Sequence, residues 1–239
     1  MPRILFVTQE KGGVGKTVFA RALAEAVVSA RIIEVDSSSR LIELGDRVTF
    51  FKMRADREAI ERSGGKAARA EFDSVLAALE KTDTSTIVDI GANTSMTLLA
   101  VIEEIAPVLA LSGFEFGVCV VVTTEHAALA SASSILAASK SWTSAQFMIE
   151  NRVHESVDQD WLKKHSKGVT TTFFEQQILE KGADEILQTA GLASISQIDP
   201  ALLRAKYGIG PASRILKDLE RFRKEAMDAV RPAAEWLIG

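Results

Sequence analysis

The sequence predicts an α/β fold, a doubly wound, mostly parallel sheet with helices on both faces, formed as a single domain over residues 1–239. Short apolar segments alternate with longer helical ones, as in parallel sheets that are covered on both sides. A glycine-rich turn separates the first strand from the first helix, and acidic residues stand at the ends of two strands. Ligands of such sheets bind at the carboxyl ends of the strands.

Each element follows from its local sequence. Apolar runs bounded by turn residues predict strands, and apolar residues at three- and four-residue spacing predict helices. Pro200 after Asp199 is typical of a helix cap followed by the first helical residue. The polar segment 153–172 fits an insertion or a mobile loop. The predicted strands are 3–8, 31–35, 48–53, 85–90, 116–123, 145–151 and 193–198, and the predicted helices are 16–29, 55–80, 96–109, 126–140, 173–188, 199–207 and 212–231.

The composition agrees with one large folded unit. Of 239 residues, 47% are hydrophobic and 25% are charged, which argues against a disordered chain. With a net charge of −4, any nucleic-acid contact must use a local basic patch. The single cysteine, Cys119, cannot form a disulfide within the chain and fits a reducing cytoplasm. We expect no signal peptide before the first strand and no membrane span, because no apolar run is long enough.

The segment between the first strand and the first helix has the composition of a phosphate-binding loop. The apolar strand is followed by Gly12, Gly13, Val14, Gly15, Lys16 and Thr17. Glycines let backbone N–H groups close around phosphate oxygens, and the start of a helix adds partial positive charge. In such a loop the lysine reaches the β- and γ-phosphates, and the threonine hydroxyl holds Mg²⁺.

Two positions depart from the ordinary loop. Glu10 stands where the first glycine is usual, and a second lysine, Lys11, opens the loop. This arrangement resembles the deviant Walker A motif of the ParA/MinD superfamily of ATPases. The resemblance implies that ATP is bound and that Lys11 reaches across an ATP-dependent homodimer to the partner's nucleotide. Val18 replaces a hydroxyl residue of many relatives, so one contact to the α-phosphate is expected to be missing.

Two acids extend the resemblance. The second strand ends in Glu34 and Asp36, where the family carries an acidic switch, so Asp36 is the candidate for orienting the attacking water and the Mg²⁺ shell. The alternative is that Asp36 only caps the strand end. Glu34 replaces the family's first aspartate, and serines replace its Pro-Gln. Asp89 resembles a Walker B acid that holds Mg²⁺ through water, with Gly91 leaving room for the γ-phosphate.

The choice of base leaves a weaker signal. Asn151, at the end of a late strand, resembles the adenine-contacting position of MinD-like members, and the alternative is that it caps a turn. The Asn/Thr-Lys-x-Asp motif of related GTPases is absent there, so ATP is favoured over GTP. One cysteine cannot hold an iron–sulfur cluster, and the histidines are too scattered for a metal motif. The predicted nucleotide-binding residues are Gly12, Gly13, Val14, Gly15, Lys16, Thr17, Val18 and Asn151.

Three surface features bear on partners. Basic clusters favour either DNA contact or a solvated face. An apolar stripe near the C-terminus favours core packing, or a membrane-binding helix as in MinD relatives, and Pro232 is expected to interrupt it. The first basic cluster is Lys52, Arg54, Arg57, Arg62, Lys66 and Arg69; the second is Arg204, Lys206, Arg214, Lys217, Arg221, Arg223 and Lys224; the stripe is Ile215, Leu219, Phe222, Ala226 and Val230, before a terminal Trp236-Leu237-Ile238-Gly239.

The resemblance therefore implies a P-loop fold of the ParA/MinD type and a Mg²⁺-dependent ATPase that acts as a dimerising positional switch. Lys11, Lys16 and Asp36 are its candidate catalytic residues, and Thr17, Asp36 and Asp89 its candidate metal residues. The length and the second-strand segment most resemble plasmid partition or stabilisation proteins of the StbB kind and conjugative-transfer proteins of the TraL kind. The implied partners are nonspecific DNA or a plasmid-encoded adaptor protein, in the cytoplasm or on the nucleoid.

Three other functions stay open. One is a MinD-like membrane-associated positioning ATPase. Another is a small-molecule ligase of the dethiobiotin synthetase type, although those loops lack a residue like Lys11. The third is an interaction module that binds nucleotide without turnover, against which the presence of both Asp36 and Asp89 argues.

Overall fold

The computed structural model describes residues 1–53, 66–153 and 155–239. Within these ranges a seven-stranded sheet has the order β3-β2-β4-β1-β5-β6-β7, and every neighbouring pair is parallel. The predicted fold class is confirmed. The strands are β1 Arg3–Thr8, β2 Arg31–Asp36, β3 Val48–Lys52, β4 Thr86–Ile90, β5 Glu115–Val122, β6 Ala145–Arg152 and β7 Thr170–Glu175.

Helices connect the strands and cover both faces. The first part of the predicted helix 55–80 lies outside the described residues. At Pro200 the predicted cap is present, because the Asp199 carboxylate accepts a hydrogen bond from the Ala201 N–H at 2.7 Å. The helices are α1 Lys16–Ala26, α2 Lys66–Glu80, α3 Ser95–Leu111, α4 His126–Ser139, α5 Gln159–His165, α6 Lys181–Ala190, α7 Pro200–Tyr207 and α8 Ile209–Ile238, with 3₁₀ segments at Ile42–Arg47 and Ala193–Gln197.

The sheet separates two apolar cores. Along β1, Leu5 and Val7 point into the core that contains α1 and α8. Ile4 and Phe6 point into the opposite core, which contains residues of α2, α3 and α4. Strands buried on both faces are apolar at consecutive positions, as this strand is. The site described below lies at the carboxyl edge that these two packed layers hold in place.

Three predictions along the chain are wrong, because the segment 153–172 contains α5 and part of β7, the predicted helix 173–188 begins only at Lys181, and 193–198 is not a strand. Residues 193–198 were expected to form a strand, but Ala193–Gln197 is a 3₁₀ segment whose Ile195 packs into the α8 core. The seventh strand is instead Thr170–Glu175, at the junction of the predicted irregular segment and the predicted helix 173–188. Its threonines and phenylalanines favour a strand. Pairing with β6 places Phe174 beside Asn151 in register and buries Phe174 against Phe19.

The C-terminal helix is longer than expected, since α8 continues through Pro232 to Ile238. Its last turn is held by other elements. The Arg3 guanidinium donates to the Trp236 carbonyl, and the Ser85 hydroxyl donates to the Leu237 carbonyl at 2.7 Å. These bonds satisfy carbonyl groups that a helix end leaves free. Trp236 lies over Gly117, where a Cβ atom would come within 2.7 Å of the indole ring.

The apolar stripe of α8 belongs to the core. Ile215, Leu219, Ala226 and Val230 are buried, and Phe222 packs against the same cluster. The structure therefore agrees with the core-packing interpretation and leaves this stripe covered by the sheet and α1. No helix within the described ranges has the length and apolar character needed to span a membrane.

Candidate functional site

A cavity of about 250 Å³ opens at the carboxyl edge of the sheet, between the ends of β1, β2 and β4. Chain order reverses here, since β2 and β5 lie on opposite sides of β1, and such switch points form ligand crevices. Most of the predicted site residues meet at this cavity. Its lining is Gly12, Gly13, Gly15, Lys16, Thr17, Val18, Asp36, Arg40, Asp89, Ile90 and Ala92.

The glycines of the loop have positions that other residues would strain. Gly13 has φ 81° and Gly15 has φ 98°, a backbone region that side chains disfavour. A Cβ atom on Gly15 would also lie 2.7 Å from Asn151 Nδ2. That nitrogen donates to the Val14 carbonyl at 2.9 Å. The loop is therefore clamped from β6 just before α1 begins.

Gln9 and Glu10, just before the glycines, fix the loop to β5 and to the first turns of α3 and α4. The buried Gln9 amide donates to the carbonyls of Val121 and Ala128 at 2.8 and 3.0 Å. The Glu10 carboxylate accepts from the Met96 N–H at 2.6 Å, at the beginning of α3. Glu10 thus replaces the usual glycine with a side chain that caps the helix following β4. Glu10 and Met96 are 86 positions apart, so the sequence alone did not indicate this cap.

Lys16 lies inside the cavity. It is 8% exposed, and its ammonium donates to the Lys11 carbonyl at 3.3 Å. Burial lowers its pKa, while the carboxylates of Asp89 and Asp36 oppose that shift and the Arg40 guanidinium adds to it. A buried cation between two carboxylates, at the end of a glycine loop, is suited to bind a polyanion.

Asp89 and Thr17 provide oxygen ligands beside that lysine. The Thr17 hydroxyl donates to Asp89 Oδ2 at 3.3 Å. Asp89 Oδ1 is buried and has no hydrogen-bond partner among the described residues. Burial raises the pKa of Asp89 to about 7, although Lys16 opposes the shift. An orphaned carboxylate oxygen beside a hydroxyl fits a hard cation such as Mg²⁺.

The donor set also defines what else such a cation would need. Within the described ranges, no group of three His, Cys, Asp or Glu side chains could hold a metal ion. Mg²⁺ requires six oxygen ligands and keeps several waters. A magnesium ion at Thr17 and Asp89 would therefore take its other ligands from bound phosphates and water.

Asp36 lies at the end of β2, where it faces the turn after β4. Its Oδ1 accepts from the Ser37 N–H at 2.6 Å and from the Ser37 hydroxyl at 3.1 Å. It lines the cavity as well. The carboxylate is therefore both a turn cap and a cavity residue, so the two interpretations made from the sequence are compatible.

Arg40 lines the cavity although the sequence did not point to it, and the buried Glu34 on β2 holds its backbone. Glu34 is 1% exposed, and its carboxylate accepts from the Arg40 N–H at 2.5 Å and from the Ser39 hydroxyl at 2.9 Å. Arg40 in turn places its Nε 3.5 Å from Asp36 Oδ2. Since Arg40 follows three serines in an irregular segment, no periodicity or motif pointed to it.

Lys11 immediately precedes the glycines of the loop and is not among the residues that line the larger cavity. Its ammonium lies 3.1 Å from Glu125 Oε2, and the two side chains are 41% and 54% exposed. Lys11 is thus at the rim, while Lys16 occupies the interior. A second, smaller cavity of about 60 Å³ adjoins this rim and is lined by Gly13, Thr123, Thr124, Glu125, Asn151 and Val153. Asn151 therefore borders a pocket as well as clamping the loop.

Comparison with known proteins gives fold-level similarity. No protein-family model and no curated protein sequence matches the chain. The ParA family ATPase from Chlorobium tepidum TLS is similar in structure, with 16% identity over 92% of this chain and 99% of that one and a TM-score of 0.49. The MinD cell division protein from Aquifex aeolicus is 14% identical over 94% of this chain and 98% of that one, with a TM-score of 0.45. A plasmid partition protein from Borrelia burgdorferi is 14% identical over 93% of this chain and 98% of that one, with a TM-score of 0.44.

Several cations of the predicted basic clusters are paired with acidic residues. In the second basic cluster, Arg214 pairs with Glu180 at 2.5 Å and Lys224 with Asp228 at 3.2 Å, and Arg223 pairs with Glu25. Such pairs reduce the positive field of that surface. Arg54, Arg57 and Arg62 of the first cluster lie outside the described residues.

Proposed function

We propose that this chain binds Mg²⁺ and ATP in the cavity and hydrolyses ATP, and that it dimerises with ATP to act as a positional switch. One observation carries the nucleotide-binding part. The buried Oδ1 of Asp89, which has no hydrogen-bond partner in the described part of the chain, lies at the same cavity as the Thr17 hydroxyl and the Lys16 ammonium, at the end of a glycine loop with positive φ angles. This set offers a phosphate cradle, a cation and oxygen ligands for a metal.

Each residue then has a chemical task. Backbone N–H groups from Gly12 to Thr17 bind the phosphates, and Lys16 offsets negative charge on the β- and γ-oxygens. Thr17 and Asp89 hold the metal shell, where bound Mg²⁺ would supply further charge neutralisation. The N–H and hydroxyl groups of Ser37 already hold Oδ1 of Asp36, so Asp36 orients water through its other oxygen, Oδ2. The 60 Å³ pocket beside Asn151 is the proposed position of the adenine.

Lys11 supports the dimer. Its ammonium is at the rim and is paired with Glu125 rather than directed into its own cavity. An exposed ion pair contributes only about 0–1 kcal/mol, so a facing phosphate group can replace Glu125 as its partner. A second subunit that presents its cavity to this rim would place Lys11 on developing charge, as an arginine finger does.

For the biological role we propose plasmid or DNA partition, plasmid stabilisation or conjugative transfer. The support is the resemblance of the loop and of the second-strand segment to plasmid-encoded ParA/MinD members. Nonspecific DNA or an adaptor protein is the proposed partner, in the cytoplasm or on the nucleoid. The covered stripe of α8 makes membrane contact the weaker alternative.

The proposed function is tested by binding and turnover of labelled ATP. Wild-type protein should bind ATP with Mg²⁺ and release inorganic phosphate without any organic acceptor. Lys16→Ala should abolish binding or turnover, whereas the exposed Lys163→Ala should behave as wild type. Phosphate release that depends on an organic acid or amine would favour the ligase alternative. Unchanged affinity and turnover in Lys16→Ala would contradict the assignment of the cavity.

A further inference from the structure

Arg40 is the cation of the cavity that the loop motif does not explain. Its side chain is 56% exposed, and its Nε lies 3.5 Å from Asp36 Oδ2. It lines the same cavity as Lys16 and Thr17. At 3.5 Å and with this exposure, the contact with Asp36 is loose, because surface ion pairs of this kind contribute little. The guanidinium is therefore free to change partners.

The backbone of Arg40, in contrast, is fixed on both sides. Its N–H donates to the buried Glu34 carboxylate at 2.5 Å. Its carbonyl accepts from the Arg21 guanidinium at 2.6 Å, and Arg21 also pairs with Glu43. Arg21 belongs to α1, the helix that begins at the phosphate-binding loop. A mobile cationic side chain thus projects from a point that is tied to the loop helix and to β2.

The pairing also affects Asp36. Its Oδ1 already accepts two hydrogen bonds from Ser37, and its Oδ2 faces Arg40. With both oxygens occupied, the carboxylate has reduced capacity to orient water. A guanidinium binds phosphate oxygens through two parallel N–H bonds, which are stronger than a loose pair with a carboxylate. A terminal phosphate in the cavity would therefore compete successfully for Arg40.

We infer that Arg40 is a specificity-determining residue that recognises the terminal phosphate of a bound nucleoside triphosphate and, by leaving Asp36, frees that carboxylate. The inference rests on the proposed function, because it requires that nucleotide binds in this cavity. It adds a discrimination between triphosphate and diphosphate that Lys16 alone would not provide, since the lysine of such a loop reaches both the β- and the γ-phosphate.

The test measures affinity by isothermal titration with Mg²⁺ and either ADP or the non-hydrolysable imidotriphosphate analogue of ATP. Arg40→Ala should weaken binding of the triphosphate about tenfold, as expected for loss of a charged hydrogen bond, and leave ADP affinity within about twofold. Arg40→Lys should recover part of the loss. Arg31→Ala is the matched control, because this exposed arginine lies at the opposite end of β2.

A second measurement uses the Asp36 pairing. Asp36→Asn should increase triphosphate affinity in the wild-type background, because the amide competes less than a carboxylate for the guanidinium. The same substitution should have a smaller effect in the Arg40→Ala background, which the double variant measures. Equal losses for both nucleotides in Arg40→Ala, no loss at all, or additive effects in the double variant would overturn the inference. Wild-type protein that binds neither nucleotide would instead overturn the proposed function, and the inference with it.

Discussion

A Cβ atom on Gly91 would lie 2.8 Å from the carboxyl carbon of Asp36 and 3.1 Å from its Cα. The Gly91 N–H also donates to the Val35 carbonyl at 2.7 Å, which brings the turn after β4 into backbone contact with the end of β2. Two segments that are 55 positions apart in sequence (91 − 36) thus share one packing constraint. The position of the Asp36 carboxylate depends on the absence of a side chain at residue 91.

Gly91→Ala should therefore disturb the site as well as the fold. We expect the free energy of unfolding to fall by about 1–3 kcal/mol, typical of overpacking, and ATP turnover to fall more than ATP binding. Gly210→Ala is the control, since its nearest neighbour, Arg214 Nη1, would be 3.7 Å away and alanine favours a helix. Urea unfolding and a phosphate-release assay measure both effects. Equal behaviour of the two variants would show that the contact is easily relieved.

Asp36→Ala separates binding from chemistry. Orienting water matters mainly in the transition state, so ATP affinity should stay within a few-fold while hydrolysis slows about 100-fold or more. The variant should accumulate as an ATP-bound dimer. Titration calorimetry and single-turnover kinetics check the two quantities separately. Wild-type hydrolysis in this variant would mean that another group orients the water.

Lys11→Ala should keep ATP binding in the monomer but lose ATP-dependent dimerisation and most hydrolysis, because Lys11 lies outside its own cavity. Light scattering with ATP measures the dimer. Glu125→Gln is an informative control: it removes the partner of Lys11 within the chain and should leave dimerisation at least as strong.

Mixing subunits sharpens this test. In a mixed dimer, the cavity of a Lys11→Ala subunit keeps Asp36 and can receive Lys11 from an Asp36→Ala subunit. Mixtures should therefore recover part of the activity that each variant lacks alone. If Lys11→Ala alone dimerises with ATP and hydrolyses it normally, Lys11 does not act on the partner's nucleotide. A metabolic ATPase whose sites act independently is then the better interpretation.

The stability of the protein without metal or nucleotide should depend on Asp89. Burial raises the pKa of Asp89 from 3.8 to about 7, so between these values the unfolded chain releases a proton that the folded chain keeps. The contribution of Asp89 to the free energy of unfolding therefore decreases as pH rises from about 4 to about 7, by at most about 1.4 kcal/mol per pH unit.

Asp89→Asn removes this proton equilibrium. In EDTA, urea unfolding at pH 5, 6 and 7 should show that the wild type loses stability relative to Asp89→Asn as pH rises. The exposed Asp83→Asn serves as control and should run parallel to the wild type. A constant difference between wild type and Asp89→Asn across this range would mean that the carboxyl group titrates well below neutrality in the folded protein.

The sequence revealed the parts of the site that short-range patterns encode. Glycines mark the positive φ angles of the loop, and an acidic residue marks the end of an apolar strand. Gly15, Asp36 and Asp89 could therefore be found from their immediate neighbours in sequence. Their meeting at one cavity follows from the parallel order of the strands. The strand 170–175 was missed because its β-branched and aromatic residues gain burial only by pairing with β6.

The supporting residues were not predictable for a related reason. Glu10, Glu34 and Arg40 act through partners that are distant in sequence or through backbone groups in irregular turns. Charged residues in such segments are usually solvated, and only the folded chain shows that Glu34 is 1% exposed. Pro232 was expected to interrupt the last helix, but the contacts of Arg3 and Ser85 with its final turn are tertiary interactions that helix propensity does not describe.

The double anchoring of the Arg40 backbone has a kinetic consequence. Glu34 and Arg21 hold the peptide groups on either side, so a change of partner needs rotation about side-chain bonds and no loop rearrangement. Exposed side chains rotate in picoseconds to nanoseconds, whereas loops and subunits move on far slower timescales. Sensing of the nucleotide at this position would be effectively instantaneous on the scale of one catalytic cycle. The duration of each cycle would then be set by chemistry or by the assembly and separation of subunits.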